Sequence, residues 1–357
     1  MPSSSVPQLP ISVIVPVHNG GENFHRCLSS LAEAVPPPKE IIVVADGDTD
    51  GSWHMASEFE TRVLRLPVPK GPARARNLGA LIVQGKILFF VDADVVIPKD
   101  AIAQIVAIFN DDPGLAALFG SYDDEPFSPN FLSQYKNLFH HYIHQTAYEE
   151  ASTFWSGCGA IRRDVFMELG GFNESYRKPC IEDIELGYRL RQAGYRIHLC
   201  KTLQVKHLKR WSIISLLTSD FFQRALPWTE LIIRDHAFIN DLNLRSSSRV
   251  SVILIYGLLA TVIGAGWWPG MLVVGSALIL LLLMINNPLY QFFKKKRGLR
   301  FAVQAIPWHW FYYFYSGLAF VIGFCQYFFF RHRSPKLNIS AIPKEVPDVV
   351  SYPECHR

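Results

Sequence analysis

The sequence predicts an α/β domain on a mostly parallel, Rossmann-like sheet, followed by C-terminal transmembrane helices. Three observations carry this. Short apolar runs recur through the N-terminal half with helical periodicity between them. The run Ile87-Leu88-Phe89-Phe90-Val91 ends in two carboxylates, Asp92 and Asp94, one residue apart. From Val250 to Phe293 the chain contains no Asp, Glu, Lys or Arg.

The elements follow in order. Met1 to Pro10 is polar and rich in Pro and Ser, a flexible N-terminus without the basic-then-apolar pattern of a signal peptide. Ile11 to Val17 is β-branched and short, a strand. Phe24 to Ala34 has apolar residues at Phe24, Cys27, Leu28 and Leu31, a helical spacing closed by Pro36-Pro37-Pro38. Glu40 to Ala45 is a second buried strand, running into the turn Asp46-Gly47-Asp48-Thr49-Asp50-Gly51-Ser52. Arg62 to Leu66 is a third strand, and Asn77 to Gln84 a short helix. Five consecutive apolar residues at Ile87–Val91 suit a strand buried on both faces of a parallel sheet.

Composition limits the function classes. The 357 residues are apolar-rich, and their mean hydropathy is positive at +0.13, high for a soluble enzyme. The net charge of +4 is scattered, with no basic stripe interleaved with aromatics, so nucleic acid is not a partner. The six cysteines form no CxxC pair, which argues against both a zinc site and a disulfide framework.

Ligands of open α/β sheets bind at the carboxyl ends of the strands. Asp46 and Asp92 therefore reach one rim. Asp92 and Asp94 repel each other unless a cation lies beside them, and hard oxygen ligands suit Mg2+ or Mn2+ sharing a substrate phosphate. The plain alternative is a solvated Asp turn. Between the two strand ends lies Lys70-Gly71-Pro72-Ala73-Arg74-Ala75-Arg76-Asn77. Its cations face a diphosphate, or else it is a solvated basic loop.

Val15-Pro16-Val17-His18-Asn19, the Asp46–Gly51 turn, Gly71 through Ala75-Arg76-Asn77-Leu78-Gly79, and Val91-Asp92-Ala93-Asp94 stand in a telling order. Trp155-Ser156-Gly157-Cys158-Gly159-Ala160-Ile161-Arg162-Arg163, Gly170-Gly171-Phe172-Asn173-Glu174 and Glu182-Asp183-Ile184-Glu185-Leu186 continue it. Together they resemble the ordered motifs of the family 2 glycosyltransferases, over roughly residues 11 to 230.

The resemblance implies a GT-A fold and inverting transfer of a sugar from a nucleotide-sugar donor. It implies that Pro16, Val17 and Asp46 surround the base and that Arg76 lies near the nucleotide. The family usually has Asp where Ala45 stands, so any contact from that position is lost here. Asp92 is implied at the ribose or metal, and Asp94 as the ligand of the divalent cation, Mg2+ or Mn2+, that carries the diphosphate. His207, in Val205-Lys206-His207-Leu208, is a further metal ligand or a structural histidine.

Inverting transfer needs a carboxylate to take the acceptor proton. Asp183 matches the family's base, with Glu182 beside it in the acceptor and diphosphate region. The same stretch has helical spacing, so Asp183 can also cap a helix while Glu182 or Glu185 pairs with Arg189. Two aromatic-rich stretches, 131–149 and 211–235, read as interfacial helices. His140, His141 and His144 sit among aromatics without a partner carboxylate, which favours packing over metal binding. Gln223-Arg224-Ala225-Leu226-Pro227-Trp228 has the wrong spacing for the Gln-X-X-Arg-Trp motif of processive synthases, but Arg224 and Trp228 could close the site over the diphosphate or acceptor.

As one helix, the charge-free run would be roughly 66 Å long at 1.5 Å per residue, against a hydrocarbon core of about 30 Å. Two spans joined at Trp267-Trp268-Pro269-Gly270 fit better: Val250 to Gly266, and Met271 to about Asn287. Arg245 and Arg249 precede the pair and Lys294-Lys295-Lys296-Arg297 follow it, which makes that side cytosolic. Phe301 to Phe330 is a third span or a re-entrant segment, its start broken by Pro307 and His309, with Arg331 and Arg333 beyond it. A polar tail fills out residues 331–357.

The expected arrangement is thus a GT-A domain over 11–245 and a membrane region over 250–330. That makes a multi-pass protein of the cell or inner membrane with a cytoplasmic catalytic domain. Its expected acceptor is lipid-linked or membrane-presented. The competing readings are a nucleotide-sugar-binding scaffold without activity, and a transferase acting on a soluble acceptor.

Overall fold

The structure is a computed structural model and describes residues 10–235, 240–329 and 350–351. Most of the expected N-terminal segment, and the polar tail apart from Val350–Ser351, lie outside these, Arg331 and Arg333 included. The chain divides into two compact units. The first holds the described residues up to Pro129, Tyr148–Arg210 and Val350–Ser351; the second holds Asn130–Ala147 and the described residues from Trp211 to Phe329.

The first unit is the α/β domain. It opens with strand β1 (Ile11–Val17), helix α1 (Gly21–Ala32), β2 (Glu40–Asp46), α2 (Ser52–Ser57), β3 (Arg62–Leu66) and α3 (Pro72–Ile82). Strands β4 (Ile87–Val91) and β5 (Val95–Val96), α4 (Ala101–Asp111) and β6 (Leu115–Tyr122) follow. After α5 (Phe131–Thr146), which belongs to the second unit, come β7 (Glu150–Ala151), β8 (Cys158–Arg162), α6 (Arg163–Glu168), α7 (Glu182–Gln192) and β9 (Arg196–His207). The described strands order as β10-β3-β2-β1-β4-β8-β6-β9-β5, with β7 beside β9 and β10 being Val350–Ser351.

Strands β3, β2, β1 and β4 run parallel, and the near-continuous apolar runs of β1, β2 and β4 suit strands covered on both faces. Every residue of β4 is fully buried. The sheet is mixed beyond that, because β8 enters antiparallel between β4 and β6. Helix α3 starts at Pro72, five residues before the expected Asn77, so most of the presumed basic loop is helix. Proline at the first helical position lacks only an N–H that has no partner there anyway. The small residues of α3 let it lie tightly on the sheet. A Cβ on Gly79 would come within 2.6 Å of Ile14.

The second unit is helical. It contains α5, α8 (Ile213–Leu217), the π-helix Thr218–Ala225, α9 (Leu226–Asp235), a 3-10 turn at Leu242–Leu244, α10 (Ser246–Gly264) and α11 (Met271–Phe329). Ser212 and Ser215 form a reciprocal cap that starts α8. Lys136 and Asp220 are paired in the interior at 2.6 and 2.7 Å, and the Tyr315 hydroxyl donates to Asp220 at 2.7 Å. Two helices, α10 and α11, are long and apolar enough to cross a membrane. Helix α11 is interrupted at Gly298, where φ is +84°, and not at Pro307, which the helix carries inside it. A left-handed φ suits glycine, whereas a proline in apolar surroundings is tolerated where neighbours satisfy the freed carbonyl.

Candidate active site

Strands β1, β2 and β4 deliver His18, Asp46 and Asp92 to one edge of the sheet. The loops there are laced together by short polar side chains. The Asn19 amide oxygen accepts from the Thr49 N–H at 2.8 Å. The Asp50 carboxylate accepts from the Gly21 N–H (3.1 Å), the Ser52 N–H (3.0 Å) and the Ser52 hydroxyl (2.6 Å). Slight burial works against its charge, but these donors hold Asp50 below the usual carboxylate range. Pro16 is half-buried at the strand end, and Val17 is part of the core.

Asp46 is used structurally. Its two carboxylate oxygens accept the backbone N–H groups of Lys70 (2.7 Å) and Gly71 (2.8 Å), and only 5% of the residue is exposed. The carboxylate thus straps the segment before α3 onto the end of β2. Gly71 has φ +97°, and a Cβ there would lie 2.4 Å from the Arg177 carbonyl oxygen, so a side chain does not fit.

The expected row of cations facing a diphosphate is not formed. Arg74 donates to Glu174 at 2.7 Å. Arg76 is 4% exposed and bridges two carboxylates, donating from Nη2 to Asp92 Oδ1 (2.7 Å) and from Nη1 to Glu182 Oε1 (2.9 Å). Burial opposes its charge, yet Asp92 and Glu182 raise its pKa above the ordinary arginine value. Glu182 is correspondingly withdrawn from any acceptor. It is 4% exposed, and its other oxygen accepts the Cys180 N–H at 2.9 Å. Asn77 completes this layer, exchanging hydrogen bonds of 2.8 Å with the Phe172 backbone and donating to Glu174 at 3.1 Å. The Arg76-Asn77 and Phe172-Asn173-Glu174 motifs thus form a scaffold beneath the site.

Asp92 keeps its second oxygen without a partner among the described residues, and its side chain is 31% exposed. The Cys27 thiol donates to the Asp92 carbonyl at 3.5 Å. Burial, with Asp94 and Asp92 nearby, raises the pKa of this thiol, so it stays protonated and is not a nucleophile. Two residues on, β5 pairs antiparallel with β9, Val95 opposite His207. That register brings Asp94 Oδ2 to 3.6 Å from His207 Nε2.

The separation is longer than a good hydrogen bond and compatible with two ligands of one ion. One oxygen and one nitrogen donor suit Mn2+ or Mg2+ completed by phosphate oxygens and water. Among the described residues no three His, Cys, Asp or Glu group to hold an ion by themselves. The pair therefore fits a cation that arrives with, or is completed by, an anionic substrate. Tyr122 packs edge-on against His207 at 5.2 Å and against Trp155 at 4.7 Å, fixing the imidazole plane.

Asp183 lies in the first turn of α7 and is half-buried. Its Oδ2 accepts the Ser156 N–H (3.2 Å) and hydroxyl (3.4 Å), and its Oδ1 the Ile184 N–H (2.8 Å). Ser156 was not singled out from sequence, because it belongs to neither a periodic run nor a charged motif. Glu185 pairs with Arg189 at 2.8 Å and is fully buried. Arg224 and Trp228 belong to the helical unit. There Arg224 Nη1 lies 3.5 Å from His140 Nε2, and Trp228 lines an apolar cavity. His144 is buried, which lowers its pKa to about 3, and His141 stacks on Phe292 at 5.7 Å. These histidines pack; they do not gather a metal.

Comparison with known proteins gives the family resemblance and the fold. Residues 12–170 match the family described as Glycosyl transferase family 2. Residues 137–211 match the N-terminal domain of galactosyltransferase. The chain is 25% identical over 240 residues to an O-antigen chain rhamnosyltransferase of Salmonella anatum, covering 61% of this chain and 74% of that one. It is 26% identical to the corresponding enzyme of Salmonella typhimurium, covering 62% and 74%. Among solved structures, a mannosyltransferase from Pyrobaculum calidifontis in complex with GDP-Man and Mn2+ shares the fold. Its TM-score is 0.58 at 18% identity, over 84% of this chain and 86% of that one. The fold is GT-A.

Proposed function

Because the chain belongs to the family 2 glycosyltransferases, we propose that it transfers a sugar with inversion from a nucleotide-sugar donor to a lipid-linked acceptor at a membrane. The observation that carries the proposal is the β5–β9 register. It sets Asp94 beside His207 at the carboxyl edge of the sheet, next to an Asp92 that Arg76 holds in place. The donor and cation of the solved neighbour, GDP-Man and Mn2+, support this reading.

In this reading Asp94 and His207 hold a divalent cation. When bound, that ion neutralises charge on the departing nucleoside diphosphate. Arg76 and Glu182 keep Asp92 oriented toward the donor. The acceptor oxygen attacks the anomeric carbon from the face opposite the leaving group. As the new C–O bond forms, the bond to the diphosphate breaks and its electron pair leaves with the phosphate. Asp183 takes the acceptor proton, its carboxylate aimed by Ser156. Helices α10 and α11 anchor the enzyme, and Arg245, Arg249 and the Lys294–Arg297 cluster mark the cytosolic side. Anchoring confines enzyme and acceptor to one plane and raises their effective concentration.

The test is a screen of nucleotide sugars for nucleoside diphosphate release, with and without EDTA, in the parent and in Asp183→Asn. Release that requires a divalent cation is expected, with transfer at least about a hundredfold lower in the near-isosteric variant. Transfer at the parent rate in Asp183→Asn would move the base elsewhere. Labelled sugar found only in water-soluble product, with membranes present, would exclude a lipid acceptor.

A further inference from the structure

The helical unit contains a cavity of about 590 Å3 between α9, the Leu242–Leu244 turn, α10 and α11. That volume falls within the roughly 300–1,000 Å3 of small-molecule sites. Its lining is graded. At the start of α10 it is polar, with Asn243, Ser248 and Arg249. Toward Tyr256, seven residues and about 10 Å further along the helix, it becomes apolar, with Val252 and Phe320.

Two further features point to an amphiphile. The amide oxygen of Asn243 is buried without a hydrogen-bond partner, a group that native interiors seldom leave unpaired. Ile253 and Val321 line the cavity and are also 70% and 55% exposed on the outer faces of the apolar helices. A hydrocarbon chain can therefore enter sideways from the bilayer. Arg249 stands at the charged margin of the α10 span, level with a lipid headgroup.

We propose that this cavity holds the hydrocarbon chain of the acceptor lipid, with an anionic phosphate head at the Asn243–Arg249 end. The inference rests on the lipid-acceptor reading above and adds the place where the lipid is held. Arg249 supplies a charge-assisted contact to the phosphate oxygens, and the unpaired Asn243 oxygen accepts from the P–OH of a monoanionic head. Trp228, in the cavity wall, lies against the chain. The cavity is closed by small residues: a Cβ on Gly317 would meet Tyr256 at 2.5 Å, and Ser316 lines the space beside it.

The test uses the full chain in detergent, with a long-chain polyprenyl phosphate and a water-soluble short-chain prenyl phosphate as acceptors. Ser316→Trp fills the cavity; Ser316→Leu is a milder version should the first not fold. Either variant should raise KM for the long-chain acceptor by about tenfold or more, leaving metal-dependent donor hydrolysis and the KM of the short-chain acceptor unchanged. Arg249→Gln should raise KM for both acceptors. A folded Ser316 variant with parent KM for the long chain overturns the cavity assignment while the lipid-acceptor reading stands. A parent enzyme that uses neither phosphate, and glycosylates only soluble acceptors, overturns both.

Discussion

Asp183 is positioned by a residue outside the acidic motif. The Ser156 hydroxyl and N–H both converge on one carboxylate oxygen. Ser156→Ala removes only the hydroxyl, so kcat should fall by about tenfold with KM for donor unchanged, the value of one hydrogen bond to a charged group. A steady-state comparison giving the parent kcat would remove Ser156 from the machinery. Arg76 is the opposite case: a motif residue legible in the sequence, whose role was not. Sequence places a cation near an anion-binding loop, but cannot show that Asp92 and Glu182 already occupy that cation. Arg76→Gln leaves Glu182 buried without its partner and should cost about 3–5 kcal/mol of stability. Chemical denaturation measures it, and a loss below about 1 kcal/mol would show that the pair is not essential. Asp92, Asp94, His207 and Asp183 stand out as candidates in the sequence because each lies in a motif quoted above. Glu174, Asn77 and Ser156 lie in those motifs too, but their partners are 27 or more residues away and no local pattern names them.

At the scale of elements, strands read most clearly. Segments rich in β-branched and apolar residues, such as Ile11–Val17, Arg62–Leu66 and Ile87–Val91, begin and end where sequence places them. Helix ends read less well because glycine and proline act by position. Gly71-Pro72 looks like a loop but starts α3, and Pro307 looks like a break but lies within α11. The actual break, Gly298, is hidden beside a basic cluster that draws attention to charge. The π-helix was not legible either. It turns Asp220 inward to meet Lys136, each side chain only 5% exposed. Asp220→Asn should therefore destabilise the helical unit by about 3–5 kcal/mol, since it strands a buried ammonium. Replacing both, as Lys136→Met with Asp220→Leu, should recover most of that loss. Thermal unfolding in detergent would decide. A double variant as unstable as the single one would mean that Tyr315 and the surrounding shape, not charge, set the cost.

For the molecule as a whole, the sequence separates catalysis from anchoring at about residue 245. The structure draws the line differently. Helix α5, embedded between catalytic strands in the sequence, groups with the chain after Trp211. Its aromatic face explains this: Tyr135 and Phe139 pack against Phe293, His309 and Tyr312 of α11. A truncation before Val250 would therefore strip α5 of its partners. Such a chain should expose that aromatic face and aggregate. Recovery of a monodisperse fragment with parent donor hydrolysis would show that the first unit is independent of the helices.

The short strand β10 carries a topological consequence. Val350 and Ser351 pair with Arg65 and Leu64 of β3, in the same sheet that carries the candidate site. A strand can join a sheet only from the sheet's own side of a bilayer. Between His207 and Val350 the number of crossings must then be even. Three apolar segments are available: α10, α11 before Gly298, and α11 after it. If the proposed membrane anchoring holds, parity allows two of them to cross and requires the third to turn back or lie along the surface. Reporter domains fused before Met1 and after Arg357 should therefore face the same compartment. Reporters on opposite faces would restore the third crossing and dissolve the β10–β3 pair.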